Sequence, residues 1–408
     1  MSKTKYVLII ITAFIIGFET NIGHPITPYL VKAQGFPEYS FSWFFSLMSL
    51  GMLITAPLWG MFSDRRGNRL TFFICAVGYS IGQMMFGLFD NLYLVYFARF
   101  FSGCFSSGMN VFILSYIATS RGLKEFKKER LIPMALSFQL VGQAFGNFFG
   151  GKLGDVISYN QVLFVQAGSL AVLGLIVFLF FGFNDDERVI KERKNFIQNL
   201  LNVRQIGLWM ILFLITLTIF SLVFSNVTKY LDYYYSDLGK TSGELGNMSL
   251  VVGGVTLITN LLITPFMLQK LKPIPTMIVS GIFGTIMLFI TFINKDENFI
   301  IMVYSTYMLF IMTKPINESA SANYISSMRN QDPGLILGVR QSFISLGAVV
   351  GPLLGGLIYY SQEVANRKIL FFACAGLYAV GVIILLGIYA YRFSFKSYKG
   401  DDLFENKG

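Results

Sequence analysis

Charge is scarce in this chain. Asp, Glu, Lys and Arg together make up 13% of its 408 residues, against roughly 25% in a soluble domain. There is one histidine, His24, and there are three cysteines, Cys75, Cys104 and Cys374. The cysteines all fall inside apolar runs and show no CxxC spacing, which excludes a disulfide framework or a Cys/His metal site; they read as small buried hydrophobes. No GxxxxGK[ST] or HExxH occurs, no nucleophile–base set is discernible, and no long polar stretch offers a soluble catalytic domain. ATP hydrolysis and metal-dependent hydrolysis are therefore excluded, and no enzyme, no catalytic residue and no cofactor or metal is assigned. The carbonyl filter sequence of potassium channels is missing as well.

What is present is apolar. Hydrophobic residues reach 54%, and phenylalanine alone occurs 42 times. Such a composition belongs to a membrane protein, and 408 residues hold about twelve spans of ~20 residues. Twelve apolar segments are discernible, at 6–30, 41–63, 69–89, 92–119, 131–153, 161–183, 205–230, 244–268, 275–293, 298–327, 334–360 and 368–392. The first starts after Lys3 and Lys5, lacks a small-residue cleavage site and is too long for a signal-peptide core, so it is expected to be a retained helix. The fold class expected is all-α integral membrane. Residues 184–204, "NDDERVIKERKNFIQNLLNVR", are highly charged and separate two sets of six. They divide the chain into a six-helix bundle at 1–183, a cytoplasmic linker at 184–204 and a second six-helix bundle with a short tail at 205–408.

The net charge of +10 comes from basic residues in loops, a membrane pattern rather than a nucleic-acid surface. With the N-terminus inside, 22 of the 32 Lys and Arg lie on the inner side, seven on the outer side, and Arg99, Lys314 and Arg340 within spans. This bias predicts a multi-pass protein of the cell membrane with both termini cytoplasmic. The Phe-, Ile-, Lys- and Asn-rich usage points to a bacterial source.

One glycine ladder is written twice. "SFQLVGQAFGNFFGG" occupies Ser137–Gly151 and "SFISLGAVVGPLLGG" occupies Ser342–Gly356, both of the form S-F-x-x-x-G-x-x-x-G-x-x-x-G-G. Each falls in the fifth segment of its half, so the chain reads as a doubled six-helix unit, the design of a rocking transporter. Gly142, Gly146, Gly150 and Gly151, with Gly347, Gly351, Pro352, Gly355 and Gly356, form bare helix faces. These faces serve either as static tight packing or as hinge faces on which helices slide.

Charged groups inside spans are costly and point to function. Glu19, in the middle of segment 1, is the first choice for a group that exchanges a proton during transport. His24 lies five residues on and is either a relay from outside to Glu19 or a hydrogen-bonded helix-end histidine beside Pro25. Pro25 and Pro28 are expected to bend that end of the helix. Lys314 and Glu318 are four apart on segment 10 and share a face, as a switchable pair or a static one; Glu318 joins Glu19 and His24 as a proton-coupling candidate. Arg99, Asn21, Asn110, Gln139, Gln143, Asn147, Asn226, Lys314 and Asn317 are the candidate cavity and substrate residues.

The stretch Gly60-Met-Phe-Ser-Asp64-Arg65-Arg66-Gly67-Asn68-Arg69, between segments 2 and 3, resembles the G-x-x-x-D-R-x-G-R-R loop of the major facilitator superfamily, with Asn68 in place of a basic residue. The resemblance implies two pseudo-symmetric six-helix bundles and a cytoplasmic latch made by Gly60, Asp64, Arg65, Gly67 and Arg69. Arg99 with Gly103 is similar to the R-x-x-x-G pattern of proton-coupled members. The ladders resemble the G-x-x-x-G-P-x-x-G-G motif of the drug/proton antiporter branch. Segment 11 carries it in full, whereas segment 5 has Asn147 where proline is usual. The implied function is a proton-coupled exporter of amphipathic or drug-like molecules working by alternating access, driven by the proton gradient and acting as a monomer among membrane lipids. The alternatives are a glycolipid or lipid-linked precursor flippase and a sugar or metabolite transporter.

Overall fold

A chain surrounded by hydrocarbon must satisfy its backbone N–H and C=O groups within itself, and an α-helix does this segment by segment. The computed structural model follows that rule. It describes residues 3–119, 125–180, 208–294, 298–326, 333–363 and 366–398, and among these every regular element is helical. In the first half these are α1 (Lys3–Asn21), α2 (Thr27–Ala33), α3 (Ser40–Arg66), α4 (Asn68–Leu88), α5 (Leu92–Thr119), α6 (Glu125–Gly154) and α7 (Tyr159–Phe180). In the second half they are α8 (Leu208–Asp237), α9 (Ser242–Ile258), α10 (Thr264–Lys270), α11 (Pro273–Ile293), α12 (Phe299–Met302), α13 (Met308–Ile311), α14 (Thr313–Ser326), α15 (Pro333–Tyr359) and α16 (Ile369–Tyr398). Each of the twelve apolar segments coincides with a helical run. Among the described residues, nine helices are long and apolar enough to cross a membrane. The 184–204 linker lies outside the described residues.

Three runs depart from simple helices. Segment 1 does not continue as one bent helix to residue 30. α1 ends at Asn21, a turn carries His24 and Pro25, and α2 restarts at Thr27. Prolines 25 and 28 lack the N–H that would continue the first ladder, so the chain turns instead. A wide π turn at Thr259–Ile263 separates α9 from α10, and a second at Val303–Tyr307 separates α12 from α13. The first precedes Pro265, whose ring and missing N–H disturb the ladder four residues back.

The residues cluster into two compact units. One comprises Met1–Glu192, Thr228–Leu257 and Val349–Arg367; the other comprises Arg193–Val227, Ile258–Ala348 and Lys368–Gly408. One boundary, between Glu192 and Arg193, falls within 184–204, and the others pass through α8, α9 and α15 and just before α16. In the first unit α1 packs along α6, α3 along α5, and α4 against α5 and α7. In the second, α11 packs against α14 and α16.

The first ladder seats on α1. A Cβ added at Gly142, Gly146 or Gly150 would lie 1.9, 2.2 or 1.9 Å from the carbonyl oxygens of Phe14, Phe18 and Ile22. These carbonyls are also spaced four apart, so the two backbones are in direct contact along successive turns, as small residues allow in membranes. Gly151 points elsewhere, to Ser242 and Gly246 at the start of α9. In the second unit the equivalent helix plays the equivalent part. Gly347 lies against the Thr218 carbonyl of α8 at 2.4 Å from a built Cβ. Thr218 and Ser221 donate hydroxyl hydrogen bonds to the Phe343 and Ile344 carbonyls at 3.0 and 2.6 Å. Gly356, further along the same helix and in the first unit, meets Ser42 and Tyr230 of that unit. Each ladder thus lies, at least in part, on the first helix of its own half.

A substitution that adds one methyl separates clash from propensity. In a helix Gly→Ala gains about 1 kcal/mol, whereas overpacking costs about 1–3 kcal/mol. Gly146→Ala is expected to lower the melting midpoint of the detergent-purified protein. Gly168→Ala on α7, with no atom within 4 Å of the added methyl, is expected to leave it unchanged or raise it.

Candidate functional site

Glu19 sits near the end of α1 and is 7% exposed. Its carboxylate accepts a hydrogen bond from Ser169 Oγ at 2.7 Å, and its backbone carbonyl accepts one from Gln166 Nε2 at 2.5 Å, both from α7. Among the described residues no cation lies within ion-pair distance of it. Ser169 Oγ is also 2.9 Å from the Val165 carbonyl. The hydroxyl therefore suits both forms of Glu19. It donates to the carboxylate, or it accepts from the carboxylic acid and turns its own hydrogen to Val165.

His24 is held by other neighbours. Its ring stacks on Phe45, and its Nδ1 lies 3.5 Å from Lys229 Nζ. Between the two, Tyr79 of α4 donates to the Thr20 carbonyl at 3.1 Å, and its phenol interacts with Gln83, Gln166 and Arg99. Asn21 is spent on its own helix, donating to the Gly17 carbonyl at 2.9 Å. Gln139 donates to Asn110 at 2.5 Å, which joins α6 to α5. Among the described residues Asn147 and Asn226 each keep a buried carbonyl oxygen with no hydrogen-bond partner. The Gln143 backbone N lies 3.0 Å from a Cβ built on Gly17, in the seam between α1 and α6.

In the second unit Asn317 donates to the Tyr378 hydroxyl at 2.7 Å, with Thr313 Oγ1 3.2 Å from the same hydroxyl. Lys314 and Glu318 are exposed, and no ion pair joins them among the described residues. Arg340 turns to this helix instead, donating to the Glu318 backbone carbonyl at 2.8 Å and to Ser321 Oγ at 2.9 Å.

Of the loop after α3, Gly60 lies inside α3, and the Asp64 side chain lies outside the described residues. Arg65 is exposed. Gly67 has φ 103°, a conformation that favours glycine, and it joins α3 to α4. Ser63 donates to Asn68 Oδ1 at 2.5 Å, so Asn68 is a buried partner rather than a surface base. Arg69 donates to the Phe178 carbonyl in the last turn of α7, where a cation offsets the helix dipole.

The most connected charges were given no role by the sequence reading. At the end of the helices opposite the start of α1, Arg367, in the turn before α16, forms ion pairs with Asp237 at 2.6 Å and with Glu38. Asp237 also accepts from Lys32 at 2.8 Å and from the Tyr359 hydroxyl at 2.8 Å. Tyr359 and Tyr360 lie against the guanidinium. Burial alone would lower the Arg367 pKa, but the hydrogen bonds and charges of Asp237 and Glu38 outweigh it and hold the group above its ordinary value. Beside this network Asp155, in the turn after α6, accepts from the Gly243 N–H and Ser242 Oγ, both at 3.0 Å, and so caps the start of α9. The available signal was the tyrosine crowding around these charges, "YLDYYYSD" at 230–237 and Tyr359–Tyr360. Among the described residues no group of His, Cys, Asp and Glu could hold a metal ion.

The Arg367 and Asp237 side chains are 6% and 3% exposed, and breaking a buried pair by removing one partner costs about 3–5 kcal/mol. Arg367→Gln is expected to lower the melting midpoint sharply. Adding Asp237→Asn to it is expected to restore part of the loss, and a double-mutant cycle on the midpoints measures the coupling.

The model of the Major Facilitator Superfamily matches residues 9–328. The chain is 21% identical over 372 residues to Multidrug resistance protein 2 of Bacillus subtilis, covering 88% of this chain and 89% of that one. It is 22% identical over 391 residues to Multidrug resistance protein MdtG of Salmonella arizonae, covering 93% and 92%. Among solved structures, a mutant of the nucleoside transporter NupG superposes with a TM-score of 0.75 at 12% identity, covering 93% of this chain and all of that one. A doubled, helical, multi-pass chain with paired glycine seams is thereby placed: it belongs to the Major Facilitator Superfamily and is a membrane transporter, not an enzyme.

Proposed function

We propose that this transporter exports amphipathic, drug-like small molecules in exchange for protons, by alternating access in the bacterial cell membrane with both termini cytoplasmic. It works as a monomer and draws its energy from the proton gradient. The observation that carries the reading is Glu19: a carboxyl buried in a span, with no cation within ion-pair distance among the described residues, and held by a hydroxyl that serves its charged and neutral forms alike. A group so placed can take a proton on one side of the membrane and release it on the other, provided the cavity opens to each side in turn. The relatives named for multidrug resistance support drug-like cargo. Likeness to a nucleoside transporter at 12% identity is likeness of fold and says nothing of cargo.

In the cycle, protonation of Glu19 turns the Ser169 hydrogen toward Val165, and deprotonation turns it back, so the helix α1–α7 contact survives both steps. The Arg367–Asp237–Glu38 network closes one end of the first unit and must part for cargo to leave there. The glycine seams let α1 and α6, and α8 and α15, shift without side chains in the way.

Efflux of a fluorescent amphipathic dye from vesicles under an imposed pH gradient tests this. Glu19→Gln is expected to reduce gradient-driven efflux to the level of empty vesicles while leaving dye binding in place. Efflux by that variant equal to the parent protein's would remove Glu19 from the coupling.

A further inference from the structure

Three basic side chains meet at one phenyl ring. Phe45 of α3 is stacked on the His24 imidazole, with centroids 5.5 Å apart and 11° between planes. Lys229 Nζ of α8 is 4.1 Å from its centroid, and Arg99 Cζ of α5 is 5.6 Å away. Arg99 also lies 4.6 Å from the centroid of Phe86, from α4. All of these residues belong to the first unit. Arg99 is 4% exposed, Phe45 5% and Phe86 0%.

A phenyl face offsets only part of the cost of burying a guanidinium. A buried charge ordinarily has a counter-charge and a full set of hydrogen bonds. Arg99 has neither. Among the described residues no carboxylate is within ion-pair distance of it, and its Nε has no hydrogen-bond partner. The acids nearby are engaged elsewhere. Asp232 lies three residues from Lys229 on α8 and interacts with that lysine, and Glu19 is bonded to Ser169. The site therefore offers a cation without a carboxylate partner, an orphan N–H and two aromatic faces.

We propose that this cluster binds an anionic group, and that the transported molecules include organic anions whose carboxylate, sulfonate or phosphate is held by Arg99 with the apolar body against Phe45 and Phe86. This rests on the reading of the chain as a transporter of amphipathic molecules and adds their charge. A small resident anion such as chloride has the same chemistry at Arg99, so the test separates the two.

The test compares phenylbutyrate, phenylbutanol and phenylbutylamine, which share one body and differ in charge. Binding to the purified full-length protein is measured by calorimetry in low-chloride buffer, without a gradient. Losing a hydrogen bond to a charged group costs about 1.5–3 kcal/mol, roughly tenfold or more in affinity. The expected result is phenylbutyrate binding at least roughly tenfold more tightly than phenylbutylamine, with the preference lost in Arg99→Gln and phenylbutanol binding unchanged. Should Arg99→Gln fail to fold, the ranking of the three ligands on the parent protein and on Arg99→Lys decides. Arg99-dependent stabilisation by chloride, without phenylbutyrate binding, would overturn the organic-anion assignment in favour of a small ion. A ranking that favours the amine, or an Arg99→Gln protein that binds phenylbutyrate as before, would overturn the anion site itself. Because no gradient is applied, failure of proton coupling leaves this result untouched, and dye efflux without anion binding sinks only this inference.

Discussion

Hydrocarbon solvates nothing polar, and the rest of the structure follows from that single constraint. The backbone is satisfied by winding every described segment into helix. Hydroxyls inside the spans are satisfied by bonding back to the preceding turn, as Thr12 does to Leu8, Ser80 to Ala76 and Ser102 to Ala98. Helices with nothing polar to exchange then associate by close packing alone. That requirement selects glycine where α6 lies on α1, because any larger residue there would meet a carbonyl oxygen. Charges that cannot be satisfied in this way are drawn to the helix ends, where Asp237 gathers Lys32, Arg367 and Tyr359 into one network.

Much of this was legible in the residues and some of it was not. Apolar runs longer than ~18 residues mark spans directly, and the repeated ladder revealed the doubled unit. The end of α1 at Asn21 was misjudged because hydrophobicity continues through Ile22 and Ile26 to Leu30; the two prolines, not the hydropathy, decide the boundary. The π turn before Pro265 follows from that proline, but no residue type announces the second at Val303–Tyr307, and we have no physical account of it. Glu19 stood out because a carboxylate in an apolar run is rare. The Arg367–Glu38 and Lys32–Asp237 pairs did not, because their partners are 329 and 205 residues apart and each residue alone looks like an ordinary loop charge.

The two kinds of polar site differ in the way their charges are met, and the difference separates holding from moving. Arg367 is paired with two carboxylates and lies against two tyrosine faces, although its Nε has no hydrogen-bond partner among the described residues, and such a paired group favours one arrangement of the chain. Glu19 has a single reversible hydroxyl partner, so its charge can change without a neighbour being abandoned. Arg99 stands at the other extreme, buried with no counter-ion among the described residues. In the proposed cycle the three play different parts: a network that stays shut until something competes with it, a group that gains and loses a proton at little structural cost, and a charge that is complete only when cargo arrives.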